Sequence, residues 1–163
     1  MNLDNLNNLV ELFFYQTEKL KPENIFLEWL NPNNKKIFTW AETKQNILKL
    51  SKKIKETVKD GDRCLLVSEN RPEWFISELA IMLAGGITVP AYTTYTEEDY
   101  KYLIEDCEPS VIIVSNNLIH EKLKNIINEK LFIKKIINFD ELKKTKDVSK
   151  YLDFKSINRK DLK

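Results

Sequence analysis

Apolar residues recur along this chain with two different periods, and the change between them divides it. Leu6, Leu9, Val10, Phe13 and Phe14 repeat at helical spacing, so residues 4–19 predict an amphipathic helix ending before Pro22. Two short apolar runs follow, Ile25–Leu30 and Ile37–Trp40, separated by Asn31-Pro32-Asn33-Asn34. A proline and asparagine cluster between two such runs predicts a β-hairpin. Ile47, Leu50, Ile54 and Val58 then share one face of a second helix, predicted over 41–58. Asp60-Gly61-Asp62 closes that helix in this reading, because glycine accepts the left-handed backbone of a helix end.

From Arg63 onward short apolar strands alternate with helices. Cys64–Val67, Ile87–Ala91, Val111–Val114 and Ile133–Phe139 predict four strands. Pro72 stands where proline suits the first helical turn, and Glu73 suits the positive helix end. The helix they open is apolar on nearly every side from Trp74 to Leu83, which predicts burial on more than one face; Gly85-Gly86 ends it. Thr96 followed by Glu97, Glu98 and Asp99 predicts a capping box and a helix to Cys107, stopped by Glu108-Pro109. Asn116 or Asn117 caps a further helix through Ile127, Glu141–Lys150 predicts a short one, and Tyr151–Lys163 a connector. The fold class is therefore α/β, a mainly parallel sheet flanked by helices and preceded by a helix and a β-hairpin. Residues 1–60 are the lead-in, 61–140 the βαβ core and 141–163 the connector.

Composition narrows the picture without changing it. A chain of 163 residues with 42% apolar and 31% charged residues suits one soluble globular domain. It has no apolar run of about 18 residues, so no membrane-spanning helix is expected. Met1–Asn5 lacks a basic flank and an apolar signal core, which makes the cytoplasm the expected location. A net charge of +1 gives no reason to expect nucleic acid as a partner. From Glu121 onward, however, 13 Lys/Arg stand against 7 Asp/Glu. That basic end leaves peripheral contact with anionic lipid headgroups open, beside the plainer reading of solvated helix faces.

Few residues here suit chemistry. Cys64 and Cys107 have neither a Cys-x-x-Cys spacing nor a nearby histidine and read as buried thiols. The three glycines are Gly61, Gly85 and Gly86, and the last two follow a helix instead of opening one, so they make no phosphate cradle. His120, the sole histidine, has no metal-ligating neighbours in sequence and reads as solvent-facing. No serine stands in a Gly-x-Ser-x-Gly elbow. Glu69, Asn70 and Arg71 fall at the C-terminal end of a parallel strand, where open α/β sheets bind ligands, although turn shaping and local hydrogen bonds explain them equally. Trp74, Phe75, Tyr92, Tyr95, Tyr100 and Tyr102 form an aromatic-rich zone, read as core packing over acyl-chain contact.

Three motifs in one register carry more: Gly61-Asp62-Arg63, then Asn70-Arg71-Pro72-Glu73-Trp74, then Gly85-Gly86-Ile87-Thr88-Val89-Pro90. With Phe38-Thr39-Trp40 leading into a long helix, their order and spacing resemble the N-terminal region of AMP-forming acyl-CoA synthetases, most closely the long-chain fatty-acid ligases. The resemblance implies a parent enzyme that activates a fatty acid with ATP and Mg²⁺ to an acyl-adenylate and passes the acyl group to coenzyme A. It implies the remainder of the adenylation domain as partner. The family's Thr/Ser/Gly-rich loop ending in Pro-Lys, its adenylate-binding motif and its catalytic lysine have no counterpart in these residues. Ser156–Lys163 resembles the stretch just before that loop. No catalytic, cofactor-binding or metal-binding residue is assigned, and substrate contacts are unknown.

Ala91-Tyr92-Thr93-Thr94-Tyr95 lacks the proline that family members often carry after this strand, which leaves the acyl-chain length open. Two other readings stand beside the first. One is a piece of another adenylate-forming ligase, acting on aryl, medium-chain or carrier-protein-bound acids. The other is a stand-alone non-catalytic α/β binding domain. A sheet cut from a larger domain would expose strand edges and apolar faces, which predicts self-association or marginal stability.

Overall fold

The computed structural model describes residues 6–30, 35–128 and 130–140. The predicted Glu141–Lys150 helix and Tyr151–Lys163 connector lie outside them, as does the Ser156–Lys163 stretch.

The first helix, α1, spans Leu9–Lys19. It starts later than the apolar period suggests because Asn8 takes an extended backbone and its side chain accepts from Glu11 N at 2.9 Å. That bond satisfies one of the free N–H groups of the first turn and fixes the boundary. β1 (Ile25–Trp29) and β2 (Lys36–Thr39) pair antiparallel as the expected hairpin. Thr39 then caps α2 (Trp40–Lys55): its hydroxyl accepts from Glu42 N, and the Glu42 carboxylate accepts from Thr39 N at 2.8 Å. The helix stops at Lys55, so Gly61 does not close it as the sequence suggests. Gly61, at φ +86°, serves the turn into the sheet instead, where its N–H donates to Gly85 O at 2.8 Å.

The βαβ core follows as β3 (Arg63–Val67), α3 (Pro72–Leu83), β4 (Ile87–Ala91), α4 (Glu97–Cys107), β5 (Val111–Val114), α5 (Asn117–Ile127) and β6 (Lys135–Asn138). All four strands are parallel, in the order β4-β3-β5-β6. β6 is shorter at both ends than its apolar run, since Ile133 packs under α5 and Phe139 lies just beyond the ladder. Gly85 ends α3 at φ +86°, a left-handed backbone that favours glycine.

Successive strand side chains point to opposite faces, which makes two cores. Cys64, Leu66, Val111, Ile113 and Ile137 face α1, α2, α3 and the hairpin. Leu65, Val67, Ile112 and Val114 face α4 and α5. On the first face an aromatic group ties four elements together: Phe13 stacks on Trp40 at 5.6 Å and meets Phe26 at 5.7 Å and Phe75 at 6.2 Å. Along α2 and α3 the buried hydroxyls of Thr43, Ser51 and Ser77 find no hydrogen-bond partner among the described residues. No helix among the described residues is long and apolar enough to cross a membrane.

Candidate functional site

In this strand order the chain leaves β3 toward one edge of the sheet and returns from β4 to the other side of β3. The place where the connections diverge lies between the C-terminal ends of β3 and β5, and there an open α/β sheet usually forms its binding crevice. Glu69–Arg71 from one loop and Ser115–Asn117 from the other border it.

Arg71 fills it. Its side chain is only 3% exposed. Nε and Nη2 donate to the two carboxylate oxygens of Glu73 at 2.9 and 3.0 Å, while Nη1 donates to Glu69 Oε1 at 3.2 Å and Ser115 O at 3.3 Å. The guanidinium carbon lies 4.8 Å from the Trp29 ring centre and 5.5 Å from that of Phe139. Lys36 of the hairpin reaches the same Glu73 carboxylate. One side chain thus joins β1, the β3–α3 turn, the β5–α5 turn and the end of β6. Burial alone would lower the Arg71 pKa, but hydrogen bonds and charge from Glu73 and Glu69 outweigh it and push the value up. Burial would likewise raise Glu73, yet hydrogen bonds from Arg71 and Lys36 prevail and hold its carboxyl at about 2.

The residues around this crevice do not fit a nucleotide triphosphate or its metal. Three helices point their N-termini to this edge, and each already carries a carboxylate. Glu73 sits in the first turn of α3, Asp99 caps α4 by accepting from Thr96 N at 2.8 Å, and Asp140 accepts from Asn117 N at 3.2 Å at the start of α5. A phosphate would meet a negative charge at every one of them. Among the described residues no group of three or more His, Cys, Asp or Glu is placed to hold a metal ion. The described residues of this crevice therefore do not suit the phosphates of ATP or a Mg²⁺ ion.

The remaining candidates resolve into structure. Asn70 is exposed, and the local pairing of Arg71 with Glu73 is present as expected. The aromatic-rich zone is two zones on opposite faces: Trp74 and Phe75 join the first core, whereas Tyr95 and Tyr100 join the second. Tyr100 Oη donates to Tyr92 O at 2.6 Å, and Tyr102 is left 72% exposed. The Cys64 thiol is buried, and desolvation with the nearby Asp62 charge pushes it up to about 12, so it is no nucleophile; burial raises Cys107 as well. His120 is half-buried on α5. Sequence reasoning passed over Trp29, Lys36, Ser115 and Phe139, because their meeting at Arg71 is a product of topology that no local spacing announces.

Comparison with known proteins agrees with this architecture. The family model described as AMP-binding enzyme matches residues 14–161. A Xenopus laevis long-chain-fatty-acid–CoA ligase, ACSBG2, is 36% identical over 75 residues, covering 45% of this chain and 10% of the ligase. Long chain acyl-CoA synthetase 4 of Arabidopsis thaliana is 29% identical over 102 residues, 62% of this chain and 15% of that protein. Among solved structures, the anthranilate CoA ligase AuaEII in complex with anthranoyl-AMP superposes with a TM-score of 0.71 at 18% identity, over 94% of this chain and 29% of that one. The N-terminal domain of FACL13 from Mycobacterium tuberculosis gives 0.72 at 14% identity, over 92% and 36%. The matches span only a small part of the curated relatives, 10% to 17% of their length. The chain belongs to the AMP-binding enzyme family.

Proposed function

We propose that these residues form the N-terminal part of the adenylation domain of a long-chain fatty-acid–CoA ligase. The parent would join a fatty acid to ATP as an acyl-adenylate and transfer it to the coenzyme A thiol. Within it, residues 1–60 act as the lead-in, 61–140 as the βαβ core and 141–163 as the connector toward the phosphate-binding loop. The carrying observation is the 36% identity to a long-chain ligase over a 75-residue stretch. The present residues contribute scaffold. Arg71 occupies the crevice that a ligand would use, and carboxylates occupy the helix ends that phosphate would use. Catalytic groups therefore belong to the remainder of the domain, which is the necessary partner, and the expected location is the cytoplasm.

Two measurements test this. The 163-residue protein, given ATP, Mg²⁺, palmitate and coenzyme A, should release no AMP; release would overturn the reading. A chimera in which this chain replaces the matching segment of the Xenopus ligase should form palmitoyl-CoA. A second reading, a ligase of another acid such as an aryl or medium-chain one, stands beside it because the human acyl-coenzyme A synthetase ACSM5, whose name specifies no long chain, is 30% identical over a longer stretch of 107 residues. Activation of benzoate or octanoate in preference to palmitate, once this chain is joined to the remainder of its own domain, would select it.

A further inference from the structure

Of the three glycines, Gly61 alone follows an aspartate, and no asparagine precedes a glycine. An Asp-Gly bond is chemically reactive, because a backbone nitrogen whose residue has no Cβ reaches the preceding carboxyl carbon unhindered. Here the pair forms the centre of the turn Lys59–Asp62, closed by Asp62 N donating to Lys59 O at 3.0 Å, with Gly61 at the position that demands a positive φ. Both reacting groups are open to water. The Asp60 side chain is 84% exposed, and no described atom lies within 4 Å of where a Cβ on Gly61 would stand. Both are also engaged. Lys55 Nζ donates to Asp60 Oδ1 at 2.7 Å, and the carboxylate lies against Gly85. Gly61 N–H meanwhile donates to Gly85 O at 2.8 Å.

We propose that the Asp60–Gly61 bond is a site of spontaneous backbone isomerisation, held unreactive in the closed turn by Lys55 on the carboxylate and Gly85 O on the nitrogen. When the turn opens, the Asp60 carboxylate takes a proton from solvent and Gly61 N bonds to Asp60 Cγ. The carboxyl hydroxyl then departs with the amide proton as water, leaving a cyclic imide. One water reopens the ring. Attack at Cγ breaks the new bond and restores aspartate. Attack at the Asp60 main-chain carbonyl carbon breaks the original C–N bond and gives isoaspartate; either way the released carboxyl returns its proton to solvent. Water is the only co-reactant, lost in the first step and taken up in the second. The product carries one more backbone carbon inside a tight turn, which pulls Gly61 away from Gly85 O. Asp62, next in the chain, anchors two strands: its carbonyl accepts from Ile87 N at 2.9 Å, and its carboxylate accepts from Lys59 N at 3.0 Å and Ser110 Oγ at 2.9 Å. One exposed bond thus governs where the β3–β4 ladder begins, and its ageing loosens the central strand from that end.

Peptide mapping with electron-transfer fragmentation separates the two linkages, which have equal mass. In the 163-residue protein kept warm in mildly acidic buffer, isoaspartate at position 60 should form at least about tenfold more slowly than in the same chain unfolded in guanidinium chloride. Equal rates, or no isoaspartate at this position in the unfolded chain, overturn the proposal. Lys55→Met, on an exposed helix position, should raise the folded rate about two- to fivefold, the range of an exposed ion pair, and leave the unfolded rate unchanged. Lys55→Arg should restore the slow rate. An unchanged folded rate in Lys55→Met, or a rise that the unfolded chain shares, counts against it. Asp60→Asn closes the same ring with loss of ammonia and so reports on the nitrogen alone; it should still react more slowly folded than unfolded, and equal rates would remove Gly85 O as a guard. Finally, the isomerised protein, separated by chromatography, should lose at least about tenfold of its amide protection at Gly61 and Ile87 while β6 keeps its own. Undiminished protection at those two amides breaks the link between this bond and the ladder.

Discussion

The two faces of the parallel sheet are built by different means. The face toward α4 and α5 is made of branched aliphatics around Tyr100, and each of its helices is capped by a residue three positions from its partner: Thr96 with Asp99, Asn116 with Ile119. The face toward α1, α2, α3 and the hairpin gathers Phe13, Phe26, Trp40 and Phe75 from four elements. Its rim is held by contacts between distant residues, such as Arg71 with Ser115 and Lys135 with Lys53, separated by 44 and 82 positions. Local caps form as their helices form, whereas distant contacts must first overcome chain-closure entropy. Asn8 and Thr39 cap α1 and α2 locally as well, but the rim of their face closes only once residues far apart in the chain have met.

The largest effect should fall on the second kind of face. Glu73→Ala leaves the Arg71 guanidinium buried with only the longer contacts to Glu69 and Ser115 O, and removing one partner of a buried pair costs about 4 kcal/mol. Urea denaturation should show that loss, with hairpin amides deprotected along with those of β3 and β5. A loss under about 1 kcal/mol, the range of surface pairs, would remove the distinction between the faces. Leu123→Ala on the α5 side should cost about 3 kcal/mol by cavity formation, without selective exposure of the hairpin.

Acid should separate the faces as well. The Glu73 carboxyl sits at about 2 in the fold against an ordinary value of 4.5. Its contribution is therefore complete above about pH 4.5 and is lost as pH falls through about 2. Glu78, pushed up by burial, works in the opposite sense, so its protonation favours the fold as acid is added. Trp29 fluorescence followed from pH 5 to pH 2 should change before any signal from Tyr100; simultaneous change would mean that the faces unfold as one. The smallest effect is expected for Thr96→Ala, about 1 kcal/mol from a lost helix cap, with hydrogen exchange raised in the first turn of α4 and nowhere else.

The same contrast explains what the sequence made legible. The four strands, Pro72 at the start of α3, the Thr96 capping box and Gly85 at the end of α3 are local features, and each stands close to where it was expected. The errors fell where tertiary context decides. Gly61 has the left-handed backbone expected of a helix terminator, but α2 ends six residues earlier and the glycine serves the approach to Gly85. Trp74 and Tyr95 look alike as aromatic residues in one stretch, yet strand crossing sends them to opposite faces. Arg71 was legible as a residue at a strand end. Its partners were not, because Trp29, Lys36, Ser115 and Phe139 reach it only through the hairpin and two parallel crossovers.

Thr43, Ser51 and Ser77 add a last point. Three buried hydroxyls along the α2–α3 seam oppose the packing that surrounds them, so Thr43→Val, which puts carbon in the place of oxygen, and Ser51→Ala and Ser77→Ala, which delete it, relieve the folded state at the cost of at most a small void. Selection of this protein for heat tolerance should therefore reach the seam early and replace threonine by valine and the serines by alanine there.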